Sequence, residues 1–268
     1  MSIIWICTFF AVIFGPKGCF GVNCESLFNS EGATPMNLAE LQNLGIKELN
    51  ECLSSIGSKP LDQEVAQKIW NSMKSIYKVA NAVPRECFKN MGYALAGIPP
   101  EDFGNITIGD IEMVEIFGQH RGFNPEQMYA ILEKVQEDWA EKVPETYSQY
   151  DLEALRQILC VMNQTDIERI HPDAYKGAAQ VIGSLQDCAP EVIQGFAKLA
   201  IHQRAFGPPN GWSKLDVAII GAVSSGLPPN LYKSIPSNNL AKKKKEEKDL
   251  QDSDTEIETK MDSMSNTM

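Results

Sequence analysis

The amino-acid sequence predicts an all-α protein, built from many short helices stacked into a solenoid-like array and followed by a charged, disordered tail. Three observations carry this. Proline followed by an acidic or polar residue recurs ahead of apolar segments, as in "VPRECF" at Val83, "FNPEQMYAI" at Phe123, "VPETY" at Val143, "IHPDAY" at Ile170 and "CAPEVI" at Cys188. Apolar residues in the longer segments return at helical spacing. No alternating run flanks an Asn-Gly or Asp-Gly turn, so hairpin signals are poor.

The chain opens "MSIIWICTFFAVIFGPKGCFG". The apolar run from Ile3 to Phe14 is too short to cross a bilayer as a helix. It has the length of a signal-peptide core. Cleavage after Gly21 would put Cys19 and Gly21, both small, at the specificity positions. No Lys or Arg precedes the run. The expectation is a secretory signal over 1–21; a short anchor or a buried core segment is the alternative.

Residues 22–238 are expected to form the helical domain. "LDQEVAQKIWNSMKSIYKVANAV" places Val65, Ile69, Met73, Ile76 and Val79 on one stripe. "PEQMYAILEKVQEDWAEKV" does so with Met128, Ile131, Leu132, Val135 and Trp139, and "YSQYDLEALRQILCVM" with Leu152, Leu155, Leu159 and Met162. "PEVIQGFAKLAIHQRAF" and "WSKLDVAIIGAVSSGL" complete the set. The Pro-acidic units are helix starts: proline lacks the N–H that a first turn leaves unbonded, and the carboxylate meets the positive end of the dipole.

Two stretches are nearly the same sentence: "GIPPEDFGNI" from Gly97 and "GLPPNLYKSI" from Gly226. In each, the aliphatic residue before Pro-Pro is followed eight positions later by Ile. The same interval links Phe123 with Ile131, Met162 with Ile170 and Cys188 with Phe196. It reads as a hydrophobic staple followed by a very short helix. The repeat is degenerate, so a compact irregular bundle stays open beside the solenoid.

Residues 239–268 are dense in charge of both signs and almost without apolar periodicity. Such a segment buries too little surface to offset chain entropy, and disorder is expected. No terminal hydrophobic stretch of the kind that precedes lipid anchoring is present in it.

Seven cysteines occur, at 7, 19, 24, 52, 87, 160 and 188. The first two would leave with the signal. None forms a CxxC pair, which speaks against a zinc ribbon or a thioredoxin-type site. Cys24 with Cys52 and Cys160 with Cys188 share a separation of 28 and are read as two local disulfides; buried thiols are the alternative. Cys87 is given no role. Asn105-Ile-Thr107 and Asn163-Gln-Thr165 are glycosylation sequons. With the signal-like start they fit passage through a secretory pathway.

The formal net charge of −11 opposes nucleic-acid binding, which needs a basic face, and gives no attraction to anionic lipid. Membrane association would come only through a partner. The histidines, His120, His171 and His202, lie far apart and none stands in HExxH. No nucleophile elbow, phosphate loop, dinucleotide fingerprint or Ca²⁺ loop is present. The chain is therefore read as non-enzymatic, without catalytic residues, cofactor or metal. "GQHRGF" is expected to be a turn with His120 and Arg121 exposed, and "GPPNGW" an exposed loop. His171 is placed at a helix entrance and His202 toward the core or a neighbouring helix, while Trp139 and Trp212 are packing anchors.

The segment "IHQRAFGPPNGWSKLDVAIIGAVSSGLPPNLYKSI" carries a resemblance. A Trp-led helix with Asp216, a helix of glycine and small aliphatics, then "GLPP" and a short helix closing on Ile resembles the terminal repeat of the mesothelin, stereocilin and otoancorin family. "DIERIHPDAY" and "CAPEVIQGF" resemble that family's short units, and the likeness runs from about Cys87 to Ile235. It implies armadillo-like helical superhelices in secreted or surface-attached glycoproteins of cell adhesion, which fix extracellular gels to cell surfaces. It implies no catalytic residues. This chain is much shorter than the better-known members. The function expected is a secreted glycoprotein mediating cell adhesion or matrix attachment by binding an extracellular protein or glycan. A secreted carrier of a hydrophobic ligand and an intracellular helical scaffold are the rivals.

Overall fold

The computed structural model describes Cys24, residues 46–140 and residues 142–240. The expected signal over 1–21 lies outside these residues, and so does the expected tail from 241 onward. Within them the protein is entirely helical, with twelve α-helices and no strand.

One order of elements occurs three times. Unit one has α1 (Ile46–Ile56), α2 (Gln63–Tyr77), a 3-10 turn (Ala80–Ala82), α3 (Arg85–Met91), a 3-10 stretch (Gly92–Gly97) and α4 (Pro100–Phe103). Unit two has α5 (Ile111–Gly118), α6 (Pro125–Asp138), a turn (Pro144–Thr146), α7 (Gln149–Leu155), a 3-10 stretch (Arg156–Val161) and α8 (Gln164–Arg169). Unit three has α9 (Pro172–Gly183), α10 (Pro190–Ala200), a turn (Pro209–Gly211), α11 (Lys214–Ile220), a 3-10 stretch (Gly221–Gly226) and α12 (Pro229–Tyr232).

The local chemistry explains these boundaries. Proline occupies the first turn of α4, α6, α9, α10 and α12, as the Pro-acidic units predict. Ser148 and Ser213 cap α7 and α11 in reciprocal capping boxes with Asp151 and Asp216. Asn124 caps α6 in the same way with Gln127. At positions 92, 156 and 221, φ turns positive, +47°, +42° and +51°. There the helix breaks and restarts as the 3-10 stretch. The period is thus 64 to 65 residues, and the duplicated sentence belongs to units one and three. The copy in unit two is Met162–Ile170, where Asn163-Gln164 stands in for Pro-Pro.

Two rows of elements pack against one another. The odd-numbered helices α1 to α11 follow in order, each on the next. In the other row, α2 packs on 92–97, α4 on α6, α6 on 156–161, α8 on α10, and α10 on 221–226. Where first-row helices end, backbones meet. A β-carbon on Gly118 would stand 1.9 Å from Ala154 O, and one on Gly183 would stand 2.3 Å from Ile219 O. Only glycine allows that approach.

Side chains fill the space between the rows. Trp70, Phe88, Phe117, Phe103 and Phe123 form a chain of ring contacts with centroids 5.7 to 6.1 Å apart, joining units one and two. Tyr175 stacks on Phe196 within unit three at 6.0 Å. Trp139 and Trp212 are both buried and donate to Gly109 O and Gly207 O.

Four expectations need correction. Val79 is not on the α2 stripe: the helix stops at Tyr77, Lys78 takes φ +71°, and Val79 is 59% exposed. His120 is buried, because the turn after α5 folds its ring against Phe123, centroids 4.4 Å apart. His202 is exposed and not turned to the core or a neighbouring helix. In "GPPNGW", Gly207, Pro209 and Trp212 are buried, and only Pro208, Asn210 and Gly211 are exposed.

Candidate interaction surface

The cysteines come together at joints between elements. Cys24 is bonded to Cys52 of α1, with Cα atoms 5.3 Å apart. Cys160, in the 3-10 stretch of unit two, is bonded to Cys188 in the turn before α10, with Cα atoms 4.5 Å apart. This second bond ties unit two to unit three. Cys87 is buried with its Sγ 3.5 Å from the Tyr77 hydroxyl.

The joint between units one and two has Ala96 and Phe123 in the corresponding places and is closed by hydrogen bonds. Gln127, 2% exposed, donates from Nε2 to Ala96 O at 2.8 Å and to Ile98 O at 2.7 Å. Its Oε1 accepts the Asn124 N–H at 2.9 Å. Asp138 accepts the Ile108 N–H at 2.6 Å. Sequence reading placed Met128 and Ile131 on the packed stripe and missed Gln127. The signal was there: an Asn-Pro-Glu-Gln start is a capping box.

Both sequon asparagines are exposed. Asn105 follows α4 on the rim of a polar hollow of about 510 Å³, shared with Lys74, Asp102, Thr107 and Lys134. Lys74 Nζ and Trp70 Nε1 both donate to Asp102 Oδ2 at 2.6 Å, which fixes that wall. The Thr107 hydroxyl donates to Asn81 Oδ1 at 2.7 Å. Asn163 is the N-cap of α8: its Oδ1 accepts the Asp166 N–H at 2.8 Å, and its Nδ2 donates to the Asp166 carboxylate. A glycan on Nδ2 would leave the capping oxygen in use.

The histidines stay apart. His171 caps α9 and accepts the Asp173 N–H. Burial pushes the imidazole of His120 down to about 4, and its Nε2 is a buried atom without a partner. The Asp151 carboxylate is also buried; desolvation raises its pKa, but hydrogen bonds from Lys142 and Ser148 outweigh this and hold it below the usual range. No group of three or more His, Cys, Asp or Glu able to hold a metal occurs among the described residues. No described helix is long and apolar enough to cross a membrane.

A groove of about 740 Å³ runs between α10 and the start of α12, lined by Ile193, Ala197, Ile201, Leu227, Pro228 and Pro229 among others.

No family model matches the chain. Among curated proteins, otoancorin of Mus musculus is similar, 24% identical over 165 residues. The match covers 62% of this chain and 14% of otoancorin, so the chain spans a small part of that relative's length. The likeness is that of a distant relation.

Proposed function

We propose that this chain is a secreted, non-enzymatic glycoprotein that mediates cell adhesion or attachment to extracellular matrix by binding another extracellular protein or a glycan. Its three units would form a short armadillo-like superhelix whose surface, not an enclosed pocket, meets the partner. The observation that carries this reading is the pair of disulfides at Cys24–Cys52 and Cys160–Cys188, since such bonds persist in oxidising compartments. The exposed Asn105 and Asn163 support it, and so does the likeness to otoancorin. The filled space between the two helix rows weighs against a carrier that encloses a hydrophobic ligand.

Intact mass tests the proposal. The protein is expressed in a secreting eukaryotic cell, and medium and lysate are compared with and without glycosidase and reductant. Material in the medium beginning near Val22, glycosylated at Asn105 or Asn163 and with four oxidised cysteines, is the expected result. Unglycosylated protein held in the lysate with Met1 intact and reduced thiols would refute it and favour the intracellular scaffold.

A further inference from the structure

We infer that the end of unit three is a docking surface for an acidic amphipathic helix of a partner protein. The two internal joints supply the pattern. At the first, α6 lies on α4; at the second, α10 lies on α8. Phe103 of α4 and Ile167 of α8 hold the same place in their units, and both are 0% exposed. At the second joint the seated helix comes so close that a β-carbon on Gly195 would stand 3.0 Å from Ile167 Cγ2. Tyr232 of α12 is the third member of this series, and it is 39% exposed. Pro228 and Pro229 beside it are exposed, and Leu227 lines the groove with Ile193, Ala197 and Ile201. A second hollow, about 590 Å³, includes Tyr232, Lys214, Val217 and Leu240 in its lining. The apolar seat that a helix covers twice is thus presented a third time, on the last described helix.

Charge selects the occupant. At the second joint Lys198 of α10 pairs with Glu168 of α8 at 2.6 Å. In unit three the place of Glu168 is taken by Lys233, which is exposed. Lys214 lines the second hollow, Lys198, held by Glu168, lines the first, and no Asp or Glu lines either one. This is a local inversion in a chain of net charge −11. A helix seated as α10 is seated must therefore bring a carboxylate where α10 brings lysine. In a second copy α6 and α10 are already seated on α4 and α8, and the remaining helix of that series, α2, does not match. The sixth residue of the seated helix is Ala130 in α6 and Gly195 in α10, but in α2 it is Lys68, paired with Glu64 at 2.8 Å. The outer face of α2 is polar, with Gln67, Asn71 and Ser75 exposed.

The probe is a synthetic peptide of residues 189–202 carrying Lys198→Glu, compared with its lysine parent and titrated into the full chain. The glutamate peptide is expected to bind at least tenfold more tightly. Lys233→Glu, at an exposed side chain, is expected to reverse that preference, and Tyr232→Asp to abolish binding of both peptides with the thermal melt unchanged. Equal binding of the two peptides, binding of neither, or a preference that survives Lys233→Glu would overturn the inference. So would self-association that Tyr232→Asp dissolves, which gives the face to a second copy, or binding that requires removal of 241–268, which gives it to the chain's own tail. Unit geometry and charge alone make this seat, so secretion can fail while the peptides bind, and the reverse.

Discussion

His120 shows what a buried imidazole costs. The fold keeps it neutral down to about pH 4, whereas the unfolded chain protonates it near 6.5. Between those values the unfolded state binds more protons, so stability falls as pH drops through that window. Chemical denaturation at pH 7.5 and pH 5 should differ by about 2 kcal/mol from this group. His120→Phe, which keeps a ring against Phe123 and removes the orphaned Nε2, should flatten that part of the profile; an unchanged slope would mean that His120 is hydrated in solution. Arg156 is strained differently. It holds φ +42° at a kink where the other two units use glycine, and its Nε is buried without a partner. Arg156→Gly should stabilise the protein by about 1 kcal/mol, read from the denaturation midpoint, if relief of strain outweighs the lost packing of the arginine stem. Neither property was legible from sequence. "GQHRGF" looks like any polar turn, and Arg156 sits inside a continuous helical stripe from Leu152 to Met162. The reversal of φ at Arg156 directly follows the residues, Ala154 and Leu155, whose carbonyls meet Gly118.

The helices themselves were legible where chemistry is local. Proline at the first turn fixed the starts of α4, α6, α9, α10 and α12, and the apolar stripes identified α2 and α6. What stayed hidden was the break in α3, α7 and α11, because a kink followed by a 3-10 stretch keeps nearly the same apolar spacing as an unbroken helix. Gln127 marks another limit of periodicity: a polar residue at a core position is invisible until its acceptors, which lie 29 and 31 residues earlier, are known. Gln127→Leu leaves Ile98 O and the Asn124 N–H without these partners. It should destabilise by about 2 kcal/mol in denaturant melts, with the largest loss of hydrogen-exchange protection at the joint between units one and two.

Across the molecule, the period of 64 to 65 residues was written in the sequence only as two similar sentences, because unit two replaced their prolines with Asn163 and Gln164. The equal cysteine separations were visible, yet the bonds act differently: one is within reach of α1, the other spans two units. Cys188→Ser should cost about 3.5 kcal/mol from loop entropy. Hydrogen exchange should then open unit three before the others, since each unit is held by its immediate neighbours. Uniform loss of protection along the chain would mean a single cooperative core in place of stacked units.

The bond between Cys160 and Cys188 also bears on how the chain would carry tension. Pulled from its ends, a row of neighbour-held units lengthens in rips. A unit of about 64 residues at roughly 3.5 Å each releases on the order of 220 Å of contour. The oxidised bridge withholds its own 28-residue loop from that extension. The same molecule would be a shorter, stiffer tether when oxidised and a longer, softer one when reduced, so the redox state of one cysteine pair sets its reach under load.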